Sequence, residues 1–384
     1  MFVSPEFRIE PIATLAPSAF HKVGLRKFER ISKEEKMKII FSCLLFCVLC
    51  SCGESLEKPS AAKEASQGNI GDDYTMVFAS CNDQDRPQPL WKPILQNEPD
   101  LFVWGGDNVY ADTEDMSKMK SDYDKVLAQA NYKELIKQTA ITGTWDDHDY
   151  GANDAGVEFE YKEESKKLLL DFLQVPENDI RRTRPGVYTA ETYETPKGSI
   201  KLLLLDTRTF RDSLQKSKDP NLRYDPWKGS EGGTILGEAQ WEWLEQELQD
   251  ETPSFTLIVT SIQFLSDQHG WEKWGNHPSE VEKMQQLLLA AKAKNIAMLS
   301  GDRHLAEVSV ATLPGMSYPL VDFTASGLTH TYIDTPTEGN PYRVSNVVKR
   351  INFGVLRFDF DENQIIFEIR GEDNFLFERF VQQY

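Results

Sequence analysis

The sequence predicts a mixed α/β fold in which two β-sheets pack face to face with helices outside. Two observations carry this expectation. From residue 74 onward short apolar β-type runs alternate with longer helical segments, and beyond residue 306 the runs follow one another almost without helices. Alternation calls for helices laid on a sheet, and the strand-rich C-terminal part supplies strands for a second sheet. A third observation concerns function: several of the apolar runs stop abruptly at Asp, His or Tyr, and ligands in open α/β sheets bind at the carboxyl ends of strands.

In chain order, strands are expected at 75–80, 100–104, 139–145, 187–193, 200–205, 255–262 and 296–300. These runs are rich in Val, Ile, Leu, Phe and Thr, which suit a pleated buried surface. Helices are expected at 90–96, 117–137, 159–173, 238–249 and 280–294, where apolar and charged residues interleave. Strands resume at 307–313, 319–324, 354–361 and 364–370. There is no internal repeat and no coiled-coil heptad pattern.

The N-terminal part reads differently. Residues 1–36 are mixed in charge, carry Pro5, Pro11 and Pro17, and show no sustained period. Met37-Lys38 then opens a short apolar run, 39–50, that ends at Ser51-Cys52-Gly53. A charged start, a brief apolar stretch and a small residue before a cleavage point make a secretory signal, and the run is too short for the ~20 residues of a bilayer span. Leu49-Cys50-Ser51-Cys52 resembles the lipobox of bacterial lipoproteins, which implies cleavage before Cys52 and a lipid on that residue. Met37 then reads as the start, 1–36 as an upstream extension, 37–52 as the signal peptide, 53–73 as a flexible tether and 74–384 as the working domain. The tether follows from its Ser, Lys, Glu and Gly content. An exported protein anchored by lipid at the bacterial envelope is expected.

Charge narrows the partners. The chain has 384 residues, 40% of them hydrophobic, with 42 Lys and Arg against 61 Asp and Glu, a formal net charge of −19. That balance opposes long-range attraction to nucleic acid, although Arg181, Arg182 and Arg184 form a local basic cluster. Of five Cys, Cys43, Cys47, Cys50 and Cys52 lie in the apolar N-terminal run. Cys81 stands alone, so no disulfide framework is possible in the body of a monomer, the expected state.

Three islands concentrate ligand-type residues: 105–110, with Asp107 and Tyr110; 144–149, with Asp146, Asp147, His148 and Asp149; and 300–304, with Asp302 and His304. Gly105-Gly106 lets the backbone turn tightly before Asp107. In an extended loop Asp302 and His304 would point the same way, and an extended middle island would separate Asp147 and Asp149 from Asp146 and His148. Several carboxylates converging on one pocket would be forced neutral unless cations compensate them. Two cations bridged by one carboxylate can bind the attacking and leaving oxygens of a phosphoryl transfer, and Asp107 suits the bridging place.

The motifs Ser80-Cys81, Gly106-Asp107 with Tyr110, Trp145-Asp146-Asp147-His148-Asp149 with Asn153, Leu205-Asp206-Thr207-Arg208 and Gly301-Asp302 with His304 occur in a telling order. It resembles that of the PhoD-like alkaline phosphatases, a family of the metallophosphoesterases, over about 74–360. The resemblance implies a four-layer αββα sandwich and hydrolysis of phosphate mono- and diesters at a site with Fe3+ and Ca2+, or another divalent pair such as Mg2+, Mn2+ or Zn2+. It implies Cys81, Asp107, Tyr110 and His304 as iron ligands, with Asp107 bridging to calcium alongside Asp147, Asn153 and Asp302. Thiolate and phenolate suit iron, whereas all-oxygen neighbours suit Ca2+ or Mg2+.

His148 resembles the family histidine that contacts phosphate or protonates the leaving oxygen; its alternative is a hydrogen bond to a metal-bound Asp. Arg208 follows a strand and would pair with phosphate, or structurally with Asp206 or Asp212. The helix around Gln240 and Trp241 is expected as scaffold, and Gln263 as a polar group near the site. His277 stands where the family has Tyr. The expected function is metal-dependent hydrolysis of small phosphate esters. A phosphodiesterase acting on lipid headgroups or polymeric diesters is the alternative, and a non-catalytic surface binding protein the second.

Overall fold

The computed structural model describes residues 73–228, 232–334 and 336–384. The expected extension, signal peptide and all but the last residue of the tether lie outside them.

Two six-stranded mixed sheets form the centre. The first contains β1 (Tyr74–Ala79), β2 (Leu101–Gly105), β3 (Ala140–Thr144), β12 (Phe353–Asp359), β13 (Gln364–Arg370) and β14 (Leu376–Gln383) in the order β14-β13-β12-β1-β2-β3. The second contains β4 (Thr189–Thr195), β5 (Gly198–Leu204), β8 (Phe255–Val259), β9 (Ile296–Ser300), β10 (Ala306–Ala311) and β11 (Leu320–Ala325) in the order β10-β11-β9-β8-β5-β4. Between β5 and β8 in sequence, β6 (Gln215–Lys216) and β7 (Tyr224–Asp225) make a separate short ribbon.

The period of two sorts each strand's side chains into layers. Met76, Phe78, Leu101 and Val103 meet Leu202, Leu204, Leu257, Val259, Leu299 and Phe323 in the apolar layer between the sheets. The alternate residues Val77, Ala79, Phe102 and Trp104 face a helical layer instead. It is built from α1 (Trp91–Leu95), α2 (Met116–Ala128), α3 (Ala130–Gln138) and α5 (Lys162–Phe172), with α4 (Asp147–Tyr150) at its edge. Trp91 anchors that layer, its ring 5.6 Å from Phe102, 5.5 Å from Trp104 and 4.8 Å from Tyr132. On the far side Leu203, Leu205, Ile258 and Met298 pack on α6 (Gly237–Glu247) and α7 (Pro278–Ala290) through Trp241, Leu244, Met284 and Leu288. The result is the expected αββα order.

Three details differ from the sequence expectation. The helix expected over 117–137 is two, because Gln129 is extended, with φ −61° and ψ 127°. β14 pairs with β13 as an edge strand whose charged LFERFVQQ pattern concealed it. The middle island is not extended: Asp147–Tyr150 is one helical turn with Asp146 as its N-cap.

β1, β2 and β3 run parallel, as do β5, β8, β9 and β11. Their carboxyl ends are joined across the two sheets: Ser80 bridges Ser326, and the Thr144 hydroxyl donates to the Leu205 carbonyl at 2.7 Å.

Candidate metal centre

The residues that follow these strand ends form one centre. Cys81 follows β1, Asp107 follows β2, Asp146 and Asp147 follow β3, Ser261 follows β8, Asp302 and His304 follow β9, and Ser326 follows β11. Four of them have left-handed backbones: Cys81 (φ 60°), Asp107 (φ 51°), Asp302 (φ 67°) and His304 (φ 53°). Such conformations cost free energy and persist only where the surroundings impose them, commonly at functional sites. The 300–304 island therefore turns sharply rather than running extended. The turns also require small neighbours. A Cβ on Gly106 (φ 99°) would lie 2.6 Å from the Asp146 Cβ, and one on Gly301 would lie 2.6 Å from the Ser80 Oγ.

Ligand atoms of Cys81, Asp107 and His304 lie within 4.8 Å of one another. The same holds for Asp107, Asp147 and His148, and for Asp146, Asp147 and Asp302. Asp107 links the first group to the second, and Asp147 links the second to the third. The Cys81 thiol donates to Asp107 Oδ2 at 3.4 Å and lies 3.0 Å from the Ser326 hydroxyl. The Tyr110 hydroxyl donates to Asp107 Oδ2 at 3.3 Å and lies 3.0 Å from His304 Nε2. Asn153 donates to Asp147 Oδ2 at 3.2 Å, and the Asp154 amide to the same oxygen at 2.6 Å. His148 Nδ1 pairs with Asp112 Oδ2 at 2.7 Å while its ring lies 4.1 Å from that of Tyr110.

Within the middle island the helical turn separates the four residues. Asp149 closes the capping box, accepting from the Asp146 amide at 2.8 Å, and its second oxygen accepts from the Asn108 side chain at 2.6 Å. Asp149 therefore holds the loops in place. Asp146 Oδ1 accepts from Arg208 Nε and from Ser261 Oγ, both at 2.6 Å, whereas its buried Oδ2 has no hydrogen-bond partner.

Electrostatics favours cations here. Burial, with Asp147, Asp146 and Asp149 adding to it against the opposing His148, pushes the Asp107 carboxyl well above its usual range. Burial and Asp146 do the same to Asp302. Burial works against charge on Asp147, but His148, Arg208 and the Asp154 amide outweigh it and hold that carboxyl well below the usual range. Burial would lower His148, yet Asp147, Asp107 and Asp112 carry it up to about 11. Burial also pushes the Cys81 thiol up, with Asp107 adding to the effect. Too few positive groups accompany these carboxylates, so bound cations are what would let all of them ionise. The orphaned Asp146 Oδ2 and His304 Nδ1, both buried, fit that need.

Residues 181–352 match the PhoD-like phosphatase family. The PhoD-like segment contains Arg208, Asp302 and His304; Cys81, Asp107, Tyr110, Asp147, His148 and Asn153 precede it. A solved structure of PhoD is similar to this chain with a TM-score of 0.62 and 16% identity, over 81% of this chain and 68% of that one. GAP50, described as the anchor in the inner membrane complex of Plasmodium, is similar with a TM-score of 0.53 and 11% identity, over 81% and 88%. A dimetal phosphatase from Danio rerio gives a TM-score of 0.46 and 14% identity, over 82% and 99%. No curated protein sequence matches. The likenesses to PhoD and GAP50 establish the fold, and the PhoD-like family match over 181–352 supports phosphoesterase activity, with the acidic groups suited to divalent metal.

Of the residues singled out in sequence, Cys81, Asp107, Tyr110, Asp147, His148, Asn153, Asp302 and His304 come together. Arg208 lies apart from open space. Its side chain is fully buried between Asp146 and Glu272 rather than paired with Asp206 or Asp212, although Asp206 Oδ1 accepts its backbone amide at 2.9 Å. Arg303 turns to Glu338 and Trp271. Gln263 bonds Glu307 and Thr324, and Gln240 bonds the Asp206 backbone, so both are scaffold. His277 is buried against Trp227 at the start of α7. The Arg181, Arg182, Arg184 cluster is spent on Asp179, Asp171 and the Tyr188 ring.

The sequence reading passed over several residues of this centre. His330 and Tyr332 lay their rings 4.3 Å and 4.5 Å from that of His304, Ser326 accepts from the His304 amide at 2.9 Å, and Asp112 orients His148. None carries a spacing that marks it; the chain after β11 reads in sequence as an ordinary polar loop.

Proposed function

We propose that this protein is a metal-dependent phosphoesterase that hydrolyses small phosphate mono- or diesters. The observation that carries the reading is the chain of three ligand groups joined through Asp107 and Asp147. Cys81, Asp107, Tyr110 and His304 would hold one cation, suited to Fe3+ by thiolate and phenolate; Asp107, Asp147, Asn153 and Asp302 would hold the other, suited to Ca2+ or a similar divalent ion. Bound there, the pair supplies Lewis-acid stabilisation of the phosphoryl oxygens and a water made nucleophilic near neutral pH.

The chain's own residues do the rest. His148, oriented by Asp112, donates a proton to the leaving oxygen as the phosphorus–oxygen bond to the alcohol breaks. Asp147 is fixed for its role by the Asn153 side chain and the Asp154 amide. Arg208 acts on the centre through Asp146 rather than by touching phosphate. The protein works, in this proposal, as an exported monomer tethered by a lipid on Cys52, on small substrates rather than long nucleic acid.

The test is metal analysis of the purified protein together with turnover of p-nitrophenyl phosphate and bis-p-nitrophenyl phosphate, before and after chelation. Chelator-sensitive hydrolysis of either ester is expected, and the ratio of the two separates monoesterase from diesterase. A protein that hydrolyses neither after reloading with Fe3+ and Ca2+ overturns the proposal in favour of a binding protein.

A further inference from the structure

Among the described residues Glu272 stands outside the ligand groups, yet it is buried and holds two arginines. Arg208 Nη1 donates to its Oε2 at 2.7 Å, and Arg211 Nε approaches its Oε1 at 3.0 Å. Arg208 donates from Nε to Asp146 Oδ1, and its Nη2 pairs with the same oxygen. All four side chains are 1% exposed or less. Two guanidinium groups against two carboxylates, one of them Asp146 of the third ligand group, make the network neutral, so burial of the charges is compensated within it.

The pairing leaves an instructive gap. Asp146 Oδ2 and Arg208 Nη2 are both buried without a hydrogen bond, although arginine and carboxylate ordinarily form two parallel bonds. Glu272 anchors the far side of the guanidinium at Nη1, and Ser261 holds Asp146 Oδ1. Asp146 is thus gripped by one oxygen, and the carboxylate remains grouped with Asp147 and Asp302.

We infer that Glu272 is a positioning residue of the metal centre: through Arg208 it keeps Asp146 held by one oxygen, so that the other remains available to a cation beside Asp147 and Asp302. The inference rests on the proposed metal-dependent function. Neutralising Glu272 releases Nη1, lets Arg208 engage both oxygens of Asp146, and leaves an excess positive charge in the network. Outer partners of metal ligands commonly tune affinity by about 10- to 100-fold.

The experiment uses the full-length protein with Co2+ as a probe, measuring affinity by equilibrium titration and the ligand field by visible absorption. In Glu272→Gln one Co2+ is expected to bind at least about tenfold more weakly with an altered spectrum, and kcat to fall more than KM rises. Glu272→Asp keeps the charge but retracts the carboxylate, and a smaller change in the same direction is expected; should the Gln variant not fold, the Asp variant decides. Wild-type affinity and spectrum in the folded variant overturn the inference while leaving the metal-dependent function intact. A wild-type protein that binds no Co2+ overturns both.

Discussion

Asp107 and Asp147 converge on a single amide: the backbone N–H of His148 faces Oδ1 of Asp107 at 3.3 Å and Oδ1 of Asp147 at 3.0 Å. Two carboxylates drawn to one weak donor repel each other, and a cation between them relieves that repulsion far better than the amide does. Because Asp107 serves two ligand groups and Asp302 one, their variants separate the sites. Asp107→Asn is expected to deplete both cations and lower kcat by about a hundredfold or more, on the scale of losing one strong transition-state contact. Asp302→Asn is expected to deplete one. Equal stoichiometry in both variants, by elemental analysis, would argue against a bridging Asp107.

The Cys81 thiol is buried against Asp107 and Ser326, a place where only metal ligation makes a thiolate favourable. If the proposed Fe3+ site holds, Cys81→Ser is expected to lose iron and most of the activity, together with any visible absorption from sulfur-to-iron charge transfer. Full iron content and full activity in that variant would sink the assignment.

Chelation should change how stability depends on pH. In the cation-free protein, burial raises Asp146 and Asp149 to about 7, whereas in the unfolded chain both titrate near the ordinary value of roughly 3.9. Between those values the folded state keeps protons that the unfolded state has lost, so stability falls as pH rises. His148, raised to about 11, stabilises fully below about 6.5 and loses that contribution as pH climbs toward its folded value. Both effects have the same sign. Thermal unfolding with chelator should show Tm falling steadily from pH 5 to pH 9, with a flatter profile when cations are bound. Superimposable profiles would mean that cations do not occupy these carboxylates.

Asp149 offers a contrast with its neighbour Asp147. It accepts from the Asp146 amide and from Asn108, and Tyr123 donates to it at 3.3 Å. Asp149→Ala is expected to cost about 2 to 4 kcal/mol of stability in urea unfolding, for a lost cap and buried donors left unpaired. Asp147→Ala should instead remove metal with a smaller stability loss in chelator. The opposite ordering would reverse the roles assigned within the island.

How much of this was legible before folding depended on whether the signal was local. β2 and β9, buried on both faces, are continuous apolar runs, and the Asp, Tyr and His that end them stand out by type. The turn Asp147–Tyr150 is too short to have a period, so an extended reading of that island was equally open until Asp149 was seen closing its cap. Arg208 illustrates the other limit. Its motif was plain, but its partners Asp146 and Glu272 lie 62 and 64 residues away, and burial, which decides whether a guanidinium meets solvent or another protein group, has no local signature. His330 and Tyr332 reach the centre only because β11 pairs beside β9 and delivers the following loop to the same edge.

The stitch between Ser80 and Ser326 has a consequence for how the protein is made. Cys81, Asp107 and Asp147 are synthesised long before Asp302, His304 and the Ser326 that receives the first of them, so a growing chain carries half of the proposed centre with nothing to close it. In the proposed centre, capture of a cation would then wait for the last strands to dock, a step that joins residues far apart in the chain. Under that proposal, cation loading would report on completed assembly.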